Sequence, residues 1–180
     1  MNGNDPWAGI LDGDETILWQ GRPDASVTFG AAALFQILFG MAFAGFALFW
    51  MVMASLGGGY FWAFGLIHFT VGVGIMVAGP LWGPWRRRHT WYTLTNKRGF
   101  IATDMPLAGR KLRSYPIDAR TVLGFEEGAF SDIHFAKETR RTKNGVRSYP
   151  IGFERIADGR AVYALMRDIQ KGTAWANSEG

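Results

Sequence analysis

The chain has no cysteine, and from Ala25 to Trp85 it has no Asp, Glu, Lys or Arg: 61 consecutive residues carry no formal charge. The first absence excludes disulfides, thiolate metal sites and cysteine nucleophiles. The second argues against a soluble organisation for this third of the chain, because helices and strands of soluble domains keep a wet face where charge collects. Catalytic signatures are also missing. There is no Gly-rich phosphate loop, nucleophile elbow or HExxH, and His68, His89 and His134 have no metal-ligand spacing. The sequence therefore predicts no catalytic residues, no cofactor and no metal.

What is present in the uncharged run is apolar length. A bilayer core needs about 20 apolar residues per helical span, so the run suffices for two crossings. Ser55-Leu56-Gly57-Gly58-Gly59 supplies the reversal. The expected spans are about Val27 to Ala54 and Tyr60 to Trp82 within a hairpin over 25–85. The competing reading, two buried helices of a soluble protein, fits the segment lengths poorly. A cleavable signal peptide fits worse, since its apolar region covers only about 7–15 residues behind a basic flank. Here the preceding residues 1–24 hold five acids and one Arg, a net charge of −4. Arg86, Arg87 and Arg88 follow span two directly, and the inter-span loop is uncharged. The positive-inside rule then places both termini in the cytoplasm of a multi-pass inner-membrane protein. Trp50, Trp62, Trp82, Trp85, Trp91 and Tyr60 cluster near the expected ends, as amphipathic rings at headgroup depth should.

Within the hairpin, counting from the loop places Gly40 and Ala44 at about the depth of Gly74 and Ala78. Small residues spaced in this way let helix backbones approach closely. Gly79-Pro80 and Gly83-Pro84 are expected to kink or end span two. Gln36 and His68 are the polar residues at membrane depth, where an ionisable group is a functional candidate by default. Their depths differ by roughly a turn and a half of helix, and neither span has a carboxylate to complete a proton path. His68 therefore reads as a neutral imidazole bonded to a backbone carbonyl, with a transport role as the lesser alternative.

After Trp85 the pattern changes to period two. Trp91–Thr95 and Phe100–Thr103 read as strands around a turn at Asn96–Gly99. Leu112–Ile117, Val122–Glu126, Ile133–Lys137 and Val146–Ile151 read as four more, with Asn144-Gly145 as a hairpin turn. Pro116 and Pro150 belong at strand ends, bulges or edges. Asp158 then caps a helix whose stripe is Ala161, Val162, Leu165, Met166 and Ile169, with Gly172 ending it ahead of a flexible tail, 173–180. The expected class is an α+β membrane protein: a transmembrane helical hairpin, then over 86–172 a small antiparallel barrel or sandwich closed by one C-terminal helix. The leader 1–24 is expected to add a short strand near Thr16–Gln20, its acids facing the basic surface of this domain.

Three segments resemble a known family. They are Gly13-Asp14-Glu15-Thr16-Ile17-Leu18-Trp19-Gln20-Gly21-Arg22-Pro23 before the spans, Trp91-Tyr92-Thr93-Leu94-Thr95-Asn96-Lys97-Arg98 after them, and Tyr149-Pro150-Ile151-Gly152-Phe153-Glu154-Arg155-Ile156 before the helix. Their order and spacing resemble bacterial two-pass membrane proteins that carry a pleckstrin-homology-like domain. The resemblance implies a pleckstrin-homology-type barrel in the cytoplasm and no defined reaction.

Residues 86–180 hold eighteen Lys and Arg against ten acids. Placed beside a membrane, that excess is no argument for nucleic acid as a partner. The expected role is a non-catalytic interaction or scaffold module in the bilayer, with an unknown protein partner or a homo-oligomer. The alternative is recognition of anionic lipid. Its candidate contacts are Arg86, Arg87 and Arg88 and the stretch carrying Lys137, Arg140, Arg141, Lys143 and Arg147, where cations can grip phosphate-bearing headgroups.

Overall fold

The computed structural model describes residues 7–106, 108–143 and 145–172. These fall into two compact units: the leader up to Asp24 together with Arg88 onward, and Ala25–Arg87 between them.

The inserted unit is a helical hairpin. Helix α1 spans Ala31–Leu56, a 3-10 turn covers Phe61–Ala63, and helix α2 spans Phe64–Arg88. Both helices are long and apolar enough to cross a membrane. The reversal falls where the glycines stand, Gly58 and Gly59 having φ of 74° and 80°, a region other residues enter at a cost. Helix α1 starts four residues later than Val27, and α2 does not end at its prolines but runs through Pro80 and Pro84 to Arg88. Of the two expected outcomes, a kink or an end, the end does not occur, and Gly79 and Gly83 give the reason. A residue before proline is disfavoured in helical geometry by its own Cβ, and glycine has none.

The helices touch through small residues, in a phase that differs from the expected one. Gly40, Ala44 and Ala47 are buried on α1, Gly65 and Gly72 on α2. A Cβ on Gly40 would lie 2.7 Å from the Gly72 carbonyl oxygen and the Met76 nitrogen; one on Gly72 would lie 2.7 Å from the Ala44 nitrogen. Gly79 packs under the Gln36 side chain and Gly65 under Met51. The intrachain seam thus runs over Gly65, Gly72 and Gly79, a seven-residue spacing. Gly74 and Ala78 are exposed, and nothing in this chain lies within 4 Å of where a Gly74 Cβ would sit. The depth agrees with Gly40 and Ala44, but the rotation of α2 does not bring Gly74 and Ala78 to them.

The other unit is built from seven antiparallel strands and one helix. Strands β1 (Ile17–Gly21), β2 (Thr90–Thr95), β3 (Arg98–Met105) and β4 (Gly109–Pro116) form one sheet in that order. Strands β5 (Gly124–Glu126), β6 (Ser131–Thr142) and β7 (Gly145–Ile156) form a second. The two sheets do not close into a barrel; they share a core instead. Tyr92 and Leu94 from the first meet Ile133, Phe135 and Phe153 from the second, and Val162, Met166 and Ile169 of helix α3 (Gly159–Lys171) join them. Phe153 is fully buried, with Tyr92 stacked on it at 4.8 Å and Phe135 edge-on at 5.0 Å. The α3 stripe matches the expected one except for Ala161, which is exposed. Asp158 precedes α3 but its side chain makes no capping bond, while Gly172 ends the helix at φ 70°. Pro116 ends β4 and Pro150 lies in β7, both on sheet edges, where a missing N–H costs no ladder bond. Asn144 and the tail 173–180 lie outside the described residues.

Candidate functional site

The leader is fastened to the sheet unit by charge as well as by backbone pairing. Strand β1 pairs with β2 from Ile17↔Thr95 to Gly21↔Tyr92. Just before it, the Glu15 side chain is wholly buried. Its carboxylate accepts a bond from Thr95 Oγ1 at 2.6 Å, and two from Arg98, Nε at 3.0 Å and the terminal nitrogen at 2.7 Å. The Asp12 backbone N–H adds a fourth at 3.1 Å. The Arg98 guanidinium, then the Thr95 hydroxyl, outweigh burial and hold the Glu15 carboxyl down at about 2. Lys97 bonds Asp14 at 2.6 Å, which lowers the Asp14 carboxyl and raises the Lys97 ammonium. Asn96 accepts the Thr16 N–H at 3.0 Å and donates to the Asp14 carbonyl at 3.1 Å. The leader motif around Glu15 and the motif ending Asn96-Lys97-Arg98, about 80 residues apart, are therefore two halves of one latch.

A second fastening lies at the far end of the leader. The register of β6 and β7 shifts between Ser131 and Ile133, a bulge where Arg155 takes φ 53°. Its N–H donates to the Asp132 carboxylate at 2.6 Å, its carbonyl accepts the Asp24 N–H at 2.8 Å, and its guanidinium pairs with Asp24 at 2.6 Å. Asp24 is the last residue before the hairpin unit. No residue pattern flagged this bulge, because a left-handed arginine inside a strand has no sequence signature.

The expected cationic contacts lie in two segments, the end of α2 and the β6–β7 ribbon. Arg86, Arg87 and Arg88 end helix α2, with Arg87 donating to the Ser26 carbonyl at 3.0 Å. Beyond Lys137, strands β6 and β7 continue as an exposed two-stranded ribbon. Period two puts Arg140 directly across from Arg147 on one side and Lys137 and Arg141 on the other. Glu138 stands among the first set and pairs with Arg113 at 3.1 Å and Arg140 at 3.5 Å. Lys143 is in the turn and exposed.

The polar residues of the hairpin stay apart. Gln36 lies over Gly79. His68 Nδ1 lies 3.3 Å from the Phe64 carbonyl, the local backbone bond expected of it, and its ring lies 5.1 Å from Phe64 and 6.2 Å from Phe43. With Trp50 and Gly65 these residues line a small apolar cavity of about 270 Å³. Among the described residues no cluster of three His, Cys, Asp or Glu could hold a metal ion.

Comparison with protein-family models, curated proteins and solved structures finds no match to this chain.

Proposed function

We propose that this chain is an integral protein of a bacterial inner membrane that presents a pleckstrin-homology-like domain to the cytoplasm as a non-catalytic interaction or scaffold module. One observation carries the reading: β1, from before the hairpin, pairs with β2, from after it. The hairpin is therefore an insertion between neighbouring strands, and two spans would leave both strands on the same side of a bilayer. The surface of the helices supports the membrane part. Phe35, Phe46, Phe49 and Phe61 are each more than 60% exposed, an apolar surface that water would not tolerate. The four-plus-three strand order with a closing C-terminal helix supports the domain type, alongside the three segments that resemble the family.

The lack of native cysteine makes the topology directly testable. Gly58→Cys should react with a membrane-impermeant maleimide on intact cells, and Lys143→Cys only after permeabilisation. The opposite pattern, or recovery of the protein without detergent, would remove the reading. For the scaffold role, crosslinking in native membranes followed by mass spectrometry should return a recurrent protein partner. Acidic lipid without a protein partner would favour the second reading, headgroup recognition by the exposed ribbon. That reading expects Arg140→Ala, Arg141→Ala and Lys143→Ala together to weaken binding to acidic vesicles.

A further inference from the structure

The first sheet has two faces, and only one joins the core. Register places Trp91, Ala102 and Leu112 in one row across β2, β3 and β4 on the outward face, with Thr93, Phe100 and Ser114 in the next. Ala102 is the small member of its row, so Trp91 and Leu112 stand as walls with a trough between them. At one end the trough is roofed by the leader: Trp7 packs edge-on against Phe100 at 5.2 Å, and Ile10 lies beside it. At the other end are charges. Arg22 lies over the Trp91 ring at 4.7 Å, and Arg110 pairs with Asp104 at 3.0 Å. The groove encloses about 910 Å³, the upper part of the range of small-ligand sites, about 300–1,000 Å³. Its lining includes three cations, Arg22, Arg110 and Lys111, against the single acid Asp104. A long apolar floor with a cationic end fits a chain-like ligand with an anionic head. The cationic end is also where β1 stops at Gly21 and β2 starts at Thr90, the two points at which the chain leaves for the hairpin and returns.

We infer that this outward face of the first sheet is a lipid site, taking one acyl chain of an anionic glycerophospholipid along Ala102 and Leu112 toward Phe100, with its phosphate between Arg22 and Arg110. The inference rests on the membrane reading above and moves lipid recognition from the basic ribbon to the sheet.

The full-length protein is reconstituted in vesicles containing phosphatidylglycerol with a photoreactive diazirine in one acyl chain. After irradiation, lipid adducts are located by fragmentation of tryptic peptides, because α1 and α2 share peptide 1–86 with the leader. Adducts are expected on α1 and α2 and also on peptide 99–110. Ala102→Trp, which fills the trough, should cut adducts on the corresponding peptide at least fivefold relative to those on the helices. The same photolabel on phosphatidylcholine should give at least fivefold fewer adducts there, and Arg22→Ala with Arg110→Ala, read on peptide 99–111 because the Arg110 cleavage site is lost, should erase that difference. Labelled helices with an unlabelled 99–110 peptide would overturn the lipid site and leave the membrane reading standing, whereas unlabelled helices would remove the membrane reading. Equal labelling by the two lipids would overturn the anionic assignment, and Ala102→Trp without effect would overturn the placement.

Discussion

Replacing Glu15 with Gln tests the latch that joins the leader to the rest of the sheet unit. The substitution keeps the shape and the Thr95 contact but removes the charge that faces Arg98. The fall of the Glu15 carboxyl from its ordinary 4.5 to about 2 corresponds to about 3 kcal/mol at neutral pH. Arg98 is 26% exposed, and water shares its charge, so the expected loss is nearer ~2 kcal/mol. Fully buried pairs broken on one side cost about 3–5 kcal/mol. For a unit of this size ~2 kcal/mol lowers the melting temperature by about 8–12 °C, read by near-UV circular dichroism of the full chain in detergent at pH 7. The pH dependence carries the sign. A carboxyl depressed by folding stabilises fully above its unfolded pKa, and that contribution is lost as pH falls from about 4.5 to about 2. The gap between wild type and Glu15→Gln should therefore shrink by more than half by about pH 3. A gap below about 2 °C at pH 7, or one equally large at pH 3, would refute the assignment of the stability to this charge pair.

Gly40→Leu should destabilise the hairpin by about 1–3 kcal/mol, because its side chain meets the α2 backbone; Gly74→Leu should stay within about 0.5 kcal/mol, both read by unfolding in a denaturing-detergent titration. Gly152→Ala should cost more than about 4 kcal/mol and abolish protease resistance of the sheet unit, since its Cβ overlaps the Ile133 carbonyl oxygen. Asp24→Ala should lower the thermal stability of that unit by about 1–2 kcal/mol. Arg155→Gly should cost less than Arg155→Ala by about 1 kcal/mol, because glycine accepts the φ of 53°; equal melting temperatures for the two variants would argue against strain at the bulge.

The strands of the sheet unit were legible where alternation is strict, as at Trp91–Thr95, and where Gly or Asn-Gly punctuates them. Two were underestimated, since β6 and β7 are 12 residues each. The outer half of β6, Glu138–Thr142, is polar on both faces and gives no period-two signal, while β7 runs past Ile151 through Gly152 and the Arg155 bulge, which break the alternation. The α3 stripe was legible because one face alone is apolar, and only its marginal member, Ala161, faces out. In the hairpin the depth of facing residues followed from counting along two rods joined by a short loop. Their rotation did not, since Gly and Ala occur on every face and only the contact with α1, the Ala44 backbone for Gly72 and the Gln36 side chain for Gly79, selects these two over Gly74 and Ala78. The basic stretch illustrates the same limit: nearness in sequence grouped five cations, of which strand geometry divides four between two sides and leaves Lys143 in the turn.

By itself the sequence determined the insertion of an uncharged hairpin into a charged chain, the mixed α+β class and the acidic character of the leader. Those depend on composition and periodicity, which are properties of short windows. The sequence also marked a strand in the leader; tertiary structure alone decided that it pairs with β2, that Glu15 meets Arg98, and that Trp7, Arg22, Ala102 and Arg110 line one groove. Each of those joins residues about 80 positions apart or across several strands, and such pairings are selected by the packing and register of the whole fold, not by any local preference.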